Sequence, residues 1–465
     1  MTSPVGATVE VVATPELGNR TYVVHDGTVA VVVDAPRDHE RVGRVLADRS
    51  LTLAAVLETH VHNDYVTGGL ALARAAGADY LVSADETVEF VRRGVTDGDE
   101  LAYDGLTVAV LSTPGHTPHH LSYAIRSGGT SPALFTGGSL LHGTVGRTDL
   151  CGPDLTEPLA RAQYRSVHRL AASLPGPTQV FPTHGFGSFC AAVGGPGDAV
   201  DGHPTLRDEQ RANLALTEPS EDVVVQRLLA GYAPYPRYYE HMAPLNRLGP
   251  EAATEDVTLV DWELALAQLT AGVPVVDVRP RAAFAEGHLA GSLNVELGAQ
   301  FTSYAGWVVP WGEPLLLVAE TVEEVREAAH QLARIGVDDV RGAIGAATEL
   351  AARPEVTASF RRTTFAELER ERTAPGVRPL DVRGADERDV DRVRGSHHLT
   401  VDDLVAGQPG PQRPGETWWV HCASGFRASV AAGLLDARGH RVVLVDDEFD
   451  HAADLGLTLV RRLHA

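Results

Sequence analysis

The sequence predicts a multidomain α/β protein, with a sheet sandwich over the first half and two doubly wound α/β domains after it. Three observations carry this. Apolar runs of strand length recur through the first half, and each ends in a polar or Gly-rich turn, three of which hold histidine. In the second half strand and helix patterns alternate, which implies parallel sheets with helices on their faces. That half also repeats itself: Pro274-Val275-Val276-Asp277-Val278-Arg279 is echoed by Pro379-Leu380-Asp381-Val382-Arg383.

The elements follow in order. Val9–Val12, Tyr22–Val24 and Val29–Asp34 are β-branched runs broken by the turn signals Gly18-Asn19 and Asp26-Gly27. Residues 37–49 read as helix, Leu51–Leu57 as a strand, 67–77 as helix and Tyr80–Val82 as a strand. Asp99 to Val110 reads as a hairpin turning at Asp104-Gly105. The run Val108–Leu111 leads into Thr113-Pro114-Gly115-His116-Thr117. Ala133–Gly138 and Gln179–Gly185 repeat the pattern, the second carrying His184. Arg207–Leu216 and Glu221–Leu229 read as helices, and Ala243 to Ala253 as a linker.

Composition bounds the function. The chain has 465 residues, 44% of them hydrophobic, enough for two to four cored domains. A net charge of −23 argues against nucleic acid and anionic membranes as partners, because both repel it. Three cysteines argue against a disulfide scaffold and for a reducing, cytoplasmic setting. Met1–Gly6 has neither the basic start nor the apolar core of a signal peptide, and no apolar run has membrane-spanning length.

The chemistry concentrates at Thr59-His60-Val61-His62-Asn63-Asp64-Tyr65, a turn at a strand's C-terminal end. A strand aims its ligands and a loop leaves the metal open to substrate. His60 and His62 can converge on one ion if the turn curls, and Asp64 can hold a second ion or orient a ligand. Of His119 and His120, one is expected inward and one towards solvent. His142 faces the site or packs beside it. Arg147 binds a substrate carboxylate as a bidentate pair or bridges to Asp149 or Asp154. Cys151 and Cys190 read as small buried residues. Tyr232 to Tyr239, an aromatic–proline cluster, either covers the cleft or packs helices onto the sandwich.

These motifs, in this order on strand ends, resemble the metallo-β-lactamase superfamily over about residues 5–250. The resemblance implies an αββα sandwich. It implies His60, His62 and His116 as metal ligands, with Asp64, His142, Asp149 and His184 as supporting or alternative ligands. Tyr65 stands where the family has its second-metal His, and Gly138 where it has the Asp of Thr-Gly-Asp. Both departures fall on the second metal position, so one metal is expected. The flanks, Glu58 to Gly69 and Gly146-Arg147-Thr148-Asp149, look like the persulfide dioxygenase branch. That branch implies one Fe(II) per N-terminal domain, with zinc as the alternative, and Arg147 and Tyr65 as substrate contacts.

Only the second repeat carries chemistry. Thr417–His421 reads as a strand, Cys422-Ala423-Ser424-Gly425-Phe426-Arg427 as a loop, and about Ala428–Arg438 as a helix. A thiol in such a loop sits in the positive field of a helix start, which favours thiolate, and loop N–H groups can cradle a persulfide. A phosphatase-type Cys-x5-Arg loop needs its Arg at position 428; here it is Arg427. The stretch resembles the rhodanese domain, which implies Cys422, Ser424, Gly425 and Arg427 as catalytic. The first repeat matches through Asp277-Val278-Arg279 and Gly287–Asn294, but Leu316–Thr321 holds no cysteine. The expected domains are 1–250, 255–353 (rhodanese-like, inactive) and 360–465 (rhodanese).

Together the resemblances imply an enzyme of sulfide detoxification. It would take a small-molecule thiol persulfide and O2, release sulfite, and pass sulfane sulfur through Cys422 to link sulfite and thiosulfate. Related enzymes often self-associate, which leaves room for a homo-oligomer. Two other readings stand open: a zinc-dependent thioester hydrolase fused to a sulfurtransferase, and a metal-free binding domain with only Cys422 active.

Overall fold

Alternating apolar residues in β-branched runs build the first half. In a computed structural model, which describes residues 7–185, 187–192, 203–253, 257–409 and 412–460, these runs form two stacked sheets. Strands β1 (Thr8–Thr14), β2 (Asn19–His25), β3 (Val29–Val33), β4 (Thr52–Leu57), β5 (Asp79–Ser83) and β6 (Arg93–Val95) pair in sequence order. The facing sheet combines β7 (Glu100–Tyr103), β8 (Leu106–Ser112), β9 (Leu121–Ser127) and β10 (Ala133–Gly137) with a later strand. After the short ribbon β11 (Leu140–Leu141) and β12 (Thr144–Val145), that strand is β13 (Gln179–Pro182), parallel to β10.

The inner faces share one core: Tyr22, Val31 and Leu57 from the first sheet meet Val108, Tyr123 and Phe181 from the second, all buried. The outer face of the first sheet packs on helices α1 (Glu40–Asp48) and α2 (Gly69–Ala76) through Val32, Val42, Val56 and Leu70. The outer face of the second packs on α3 (Pro153–Ser173) through Leu134, Val167 and Val180. Each layer buries its apolar side on the next, giving the αββα order. The long α3 escaped the sequence reading, although Gly152-Pro153 marks its start and Leu159, Val167 and Leu170 supply its buried stripe.

The expected linker begins later than read. Tyr239–Leu248 is helical, because Met242 and Asn246 are buried and Gly249, at φ 83°, ends the helix. Residues 1–6, read for a leader segment, lie outside the described residues.

The chain divides into two compact units, Met1–Thr254 with Ala333–Gly336, and Glu255–Leu332 with Val337–Ala465. In the second unit the sequence repeat becomes a topological one. One parallel sheet orders its strands Thr258–Leu259, Val340–Ala343, Leu315–Val318, Val275–Asp277 and Leu293–Asn294. The other orders Arg361–Thr363, Val442–Val445, Thr417–His421, Val377–Asp381 and His397–His398 in the same relation. Each Asp-Val-Arg strand end locks itself, since Arg279 grips Asp277 and Arg383 grips Asp381, both buried. Among the described residues no helix is long and apolar enough to cross a membrane.

Candidate metal centre and cysteine loop

Parallel pairing sets the site. Strand β3 runs parallel to β4, and β10 to β13, so within each pair the polar C-terminal ends emerge together. Asp34 follows β3, Glu58 to His62 follow β4, His116 lies beyond β8, Gly138 follows β10 and His184 lies beyond β13. His60, His116 and His184 are buried, with ligand-capable atoms of the three within 4.8 Å of one another.

Hydrogen bonding fixes their tautomers. Thr59 donates its hydroxyl proton to Asp34 (2.7 Å), so at 2.9 Å from His60 Nδ1 it must accept the Nδ1 proton. The His116 Nδ1 lies 2.7 Å from the Arg147 carbonyl, which only accepts. Asn19 donates to Asp64 (2.7 Å) and thereby turns its own amide oxygen to His184 Nδ1 (2.8 Å). All three rings therefore carry the proton on Nδ1 and present a bare Nε2 lone pair. The Nε2 atoms of His60 and His184 face each other at 3.3 Å, and His116 Nε2 is buried without a partner. Two nitrogens bound tetrahedrally to one divalent ion at about 2.05 Å lie about 3.3 Å apart. The donor set thus fits a metal ion. Burial, then the neighbouring imidazoles, holds His60 well below its ordinary range, and burial with His184 takes His116 down to about 3, so both stay neutral.

The geometry adds His184 to the expected trio of His60, His62 and His116. The Nε2 of His62 turns to Glu58 (3.1 Å), the Tyr65 hydroxyl (2.9 Å) and Asp34 (3.4 Å). Burial works to lower His62, but Asp34 and then Glu58 outweigh it and push the imidazole up to about 10. The His62 Nδ1, like His116 Nε2, is buried without a partner, so His62 serves the carboxylate network through Nε2 and keeps its other nitrogen for an ion, while His184 joins His60 and His116. The His62 ring falls in two further groups able to hold an ion by the same 4.8 Å measure, one with Asp64 and His184, one with Asp34 and Glu58. Asp64 orients His184, at 3.3 Å from its Nδ1, and is held well below the carboxylate range by His184 and Asn19 despite its burial.

The missing carboxylate has a steric counterpart. A Cβ on Gly138 would lie 2.2 Å from the His116 ring, and one on Gly146 2.8 Å from His116 Nδ1. The ring of His116 occupies the slot between two glycines, leaving no room for an aspartate.

Several expectations change. Tyr65 is 4% exposed and bonds His62, so it is no open substrate contact. Arg147 is 3% exposed and forks onto Asp149 (2.7 Å twice) between the rings of Tyr232 and Tyr235, which leaves its fork no substrate carboxylate. Asp149 is thereby a partner of Arg147 and not of a site histidine. His142 turns Nε2 to the Val180 carbonyl (3.2 Å) and belongs to none of the metal-competent groups among the described residues. His120 is the inward member of its pair, stacked on His60, with both nitrogens bonded to Thr113 and Gly138. The aromatic cluster packs, and Tyr238 donates to the Asp64 carbonyl (3.0 Å). Cys190 is buried and Cys151 is half-buried, its thiol pushed up to about 11 by burial.

Sequence reasoning missed the residues that hold the ligands. Asp34 sits at φ 54°, a position strained for a non-glycine residue, and accepts from Thr59 N–H (2.7 Å) and from the hydroxyls of Thr59 and Thr183. Asn246 pins the 62–67 loop through the His62 and Tyr65 carbonyls and the Thr67 N–H. An Asp at a β-strand end was a readable signal; Asn246 had none. Beside the ligand loops lies a cavity of about 320 Å³ lined by Val61, Asn63, Thr117, Tyr239 and Arg247.

In the second unit Cys422 is 1% exposed at the end of the strand Thr417–His421, and the helix begins at Phe426, two residues before the expected start. Gly425, at φ 91°, caps that helix and donates its N–H to Cys422 Sγ (3.2 Å). Ser424 lies in the loop between them, and the Arg427 guanidinium forks onto Glu387 (2.5 and 2.8 Å).

No family model matches the chain. A hydroxyacylglutathione hydrolase of Cupriavidus taiwanensis is 35% identical over 175 residues, 36% of this chain; the chain spans 62% of that relative's length. One from Albidiferax ferrireducens is 30% identical over 214 residues, 45% of this chain and 80% of the relative. The human mitochondrial persulfide dioxygenase ETHE1 is 26% identical over 244 residues, 50% of this chain and 85% of the relative. A solved metallo-β-lactamase from Staphylococcus aureus superposes with a TM-score of 0.64 at 24% identity, covering 73% of this chain and 99% of that one. With the sandwich and its histidine edge, these likenesses establish that the chain, through its first half, belongs to the metallo-β-lactamase-fold family that includes the hydroxyacylglutathione hydrolases and ETHE1.

Proposed function

We propose that the chain is a persulfide dioxygenase joined to a rhodanese-type sulfurtransferase, with residues 255–353 as a cysteine-free rhodanese-like copy and 360–465 as the active one. The observation that carries the reading is the approach of three buried imidazoles, ligand-capable atoms within 4.8 Å of one another, in a chain that also holds a strand-end thiol under a helix N-terminus. His60, His116 and His184 would hold one iron, which would supply O2 activation. Five residues keep the trio pre-set: Asp34 through Thr59 for His60, the Arg147 carbonyl for His116, and Asn19 with Asp64 for His184. The cavity beside the ligand loops would admit a small thiol carrier. There Arg247, paired with Glu86 through Nε at 3.5 Å but 42% exposed, has more room than the buried Arg147 to meet a carrier carboxylate. The overall change balances as persulfide, O2 and water giving thiol, sulfite and two protons.

At the second site the Cys422 thiolate attacks the outer sulfur of thiosulfate. The S–S bond breaks, sulfite leaves with the electron pair, and a Cys422 persulfide remains for transfer to a thiol. The Gly425 N–H would steady the sulfur charge. Cytoplasmic location and a homo-oligomeric state belong to the same proposal.

A second reading is favoured by one observation. The hydrolase relatives are more identical than ETHE1, and three imidazoles also suit zinc. Anaerobic loading with Fe(II), then oxygen uptake and sulfite release on glutathione persulfide, tests the first reading. Stoichiometric zinc with hydrolysis of an acylglutathione and no oxygen uptake would overturn it.

A further inference from the structure

The cysteine-free copy reaches into the Cys422 loop of the other copy within the second unit. Arg281 opens the short helix Arg281–Glu286 of the cysteine-free copy, directly after its Asp-Val-Arg strand end. Its Nε donates to Asp446 (2.7 Å), one terminal nitrogen donates to Glu296 (2.7 Å), and the other donates to the Ser424 carbonyl (3.2 Å). The Ser424 carbonyl and the Gly425 N–H belong to one peptide group, and in a trans peptide they point in opposite directions. That N–H donates to Cys422 Sγ. The cation therefore holds one end of the amide whose other end touches the sulfur. Asp446 makes the arrangement close-fitting: a Cβ on Gly425 would lie 2.1 Å from Asp446 Oδ1 and 3.0 Å from Arg281 Nε.

We propose that Arg281, from the copy that lacks a cysteine, is a positioning residue for the Cys422 loop, aligning and polarising the Ser424–Gly425 amide so that its N–H stabilises negative charge on Cys422 sulfur. A hydrogen bond from a charged donor strengthens the next one in the chain. The copy keeps this residue without any cysteine chemistry of its own. Ser429 and Asn294 (2.6 Å), His288 and Asp436 (3.1 Å), and the rings of Tyr304 and Phe426 (5.2 Å) join the copies around it. The inference rests on reading Cys422 as the sulfur carrier, but its test does not.

The test uses the full chain and follows alkylation of Cys422 by iodoacetamide at pH 7, resolved by peptide mass spectrometry. Arg281→Met is expected to slow alkylation about threefold to fivefold, the size of a helix-terminus charge effect, and Arg281→Lys to restore part of it. A loop merely loosened would expose the buried sulfur and alkylate faster, which overturns the proposal, as does an unchanged rate. If Arg281→Met does not fold, Arg281→Gln keeps a neutral donor near the Ser424 carbonyl without the charge and is expected to slow alkylation in the same direction; no slowing overturns the proposal. Sulfurtransfer from thiosulfate is measured separately: its absence in the unaltered chain defeats the carrier reading and leaves the alkylation result to judge Arg281.

Discussion

The His184 and His62 rings lie 5.3 and 4.2 Å from the His60 ring, and their hydrogen bonds differ: His184 bonds Asn19 through Nδ1, His62 bonds Glu58 through Nε2. His184→Ala removes one of three lone pairs. Losing a residue that merely orients a ligand costs about 10–100-fold in metal affinity, so losing the ligand itself is expected to exceed 100-fold. It also strips Asp64 of its buried partner at 3.3 Å, which costs about 3–5 kcal/mol. His62→Ala acts on a different pair of carboxylates. It leaves the three Nε2 atoms in place but strips the buried partner from Asp34 and Glu58. Breaking such a pair costs about 3–5 kcal/mol, which for a domain of this size lowers Tm by about 10 °C. The assay is metal content after anaerobic Fe(II) or Zn(II) loading and desalting, beside a thermal melt of each variant. The expected pattern is both variants less stable than the parent, His184→Ala metal-poor and His62→Ala metal-bearing. Metal lost from His62→Ala but kept in His184→Ala would refute the tautomer argument.

Three further outcomes follow from the geometry. Gly138→Asp should not restore a carboxylate ligand: the new side chain meets the His116 ring, so metal content falls and Tm drops, and a rise in iron affinity would contradict this. Cys422→Ser should abolish thiosulfate:cyanide sulfurtransfer while leaving oxygen uptake on a persulfide intact; retained transfer defeats the assignment. His421 is buried against Phe365 and Phe449 with both ring nitrogens unbonded, and burial, only partly opposed by Asp381, takes its imidazole down to about 4. The unfolded chain takes up that proton near pH 6.5, so between about pH 6.5 and 4 unfolding gains a proton and stability falls by about 3 kcal/mol as pH drops. Urea melts of the second unit at pH 7 and pH 4.5 should show the loss, and His421→Leu should lack it.

Strand ends, and the residue types placed on them, were legible in the sequence. Periodic β-branched runs are local, and so were the sandwich strands, the hairpin at Asp104-Gly105, the repeat of Asp-Val-Arg and the Cys422 loop. The histidines of the metal centre were each visible at a turn. What the sequence did not hold was which imidazole points where. That choice belongs to residues far away along the chain: Asn19 for His184, Asp34 for His60 and His62, the Arg147 carbonyl for His116, Asn246 for the loop. A side chain's tautomer and charge are set by its neighbours in space, through hydrogen bonds and burial, and no spacing rule carries those. For the same reason Arg147 and Tyr65, which have the right chemistry for a substrate, proved committed to Asp149 and His62 once the fold closed around them.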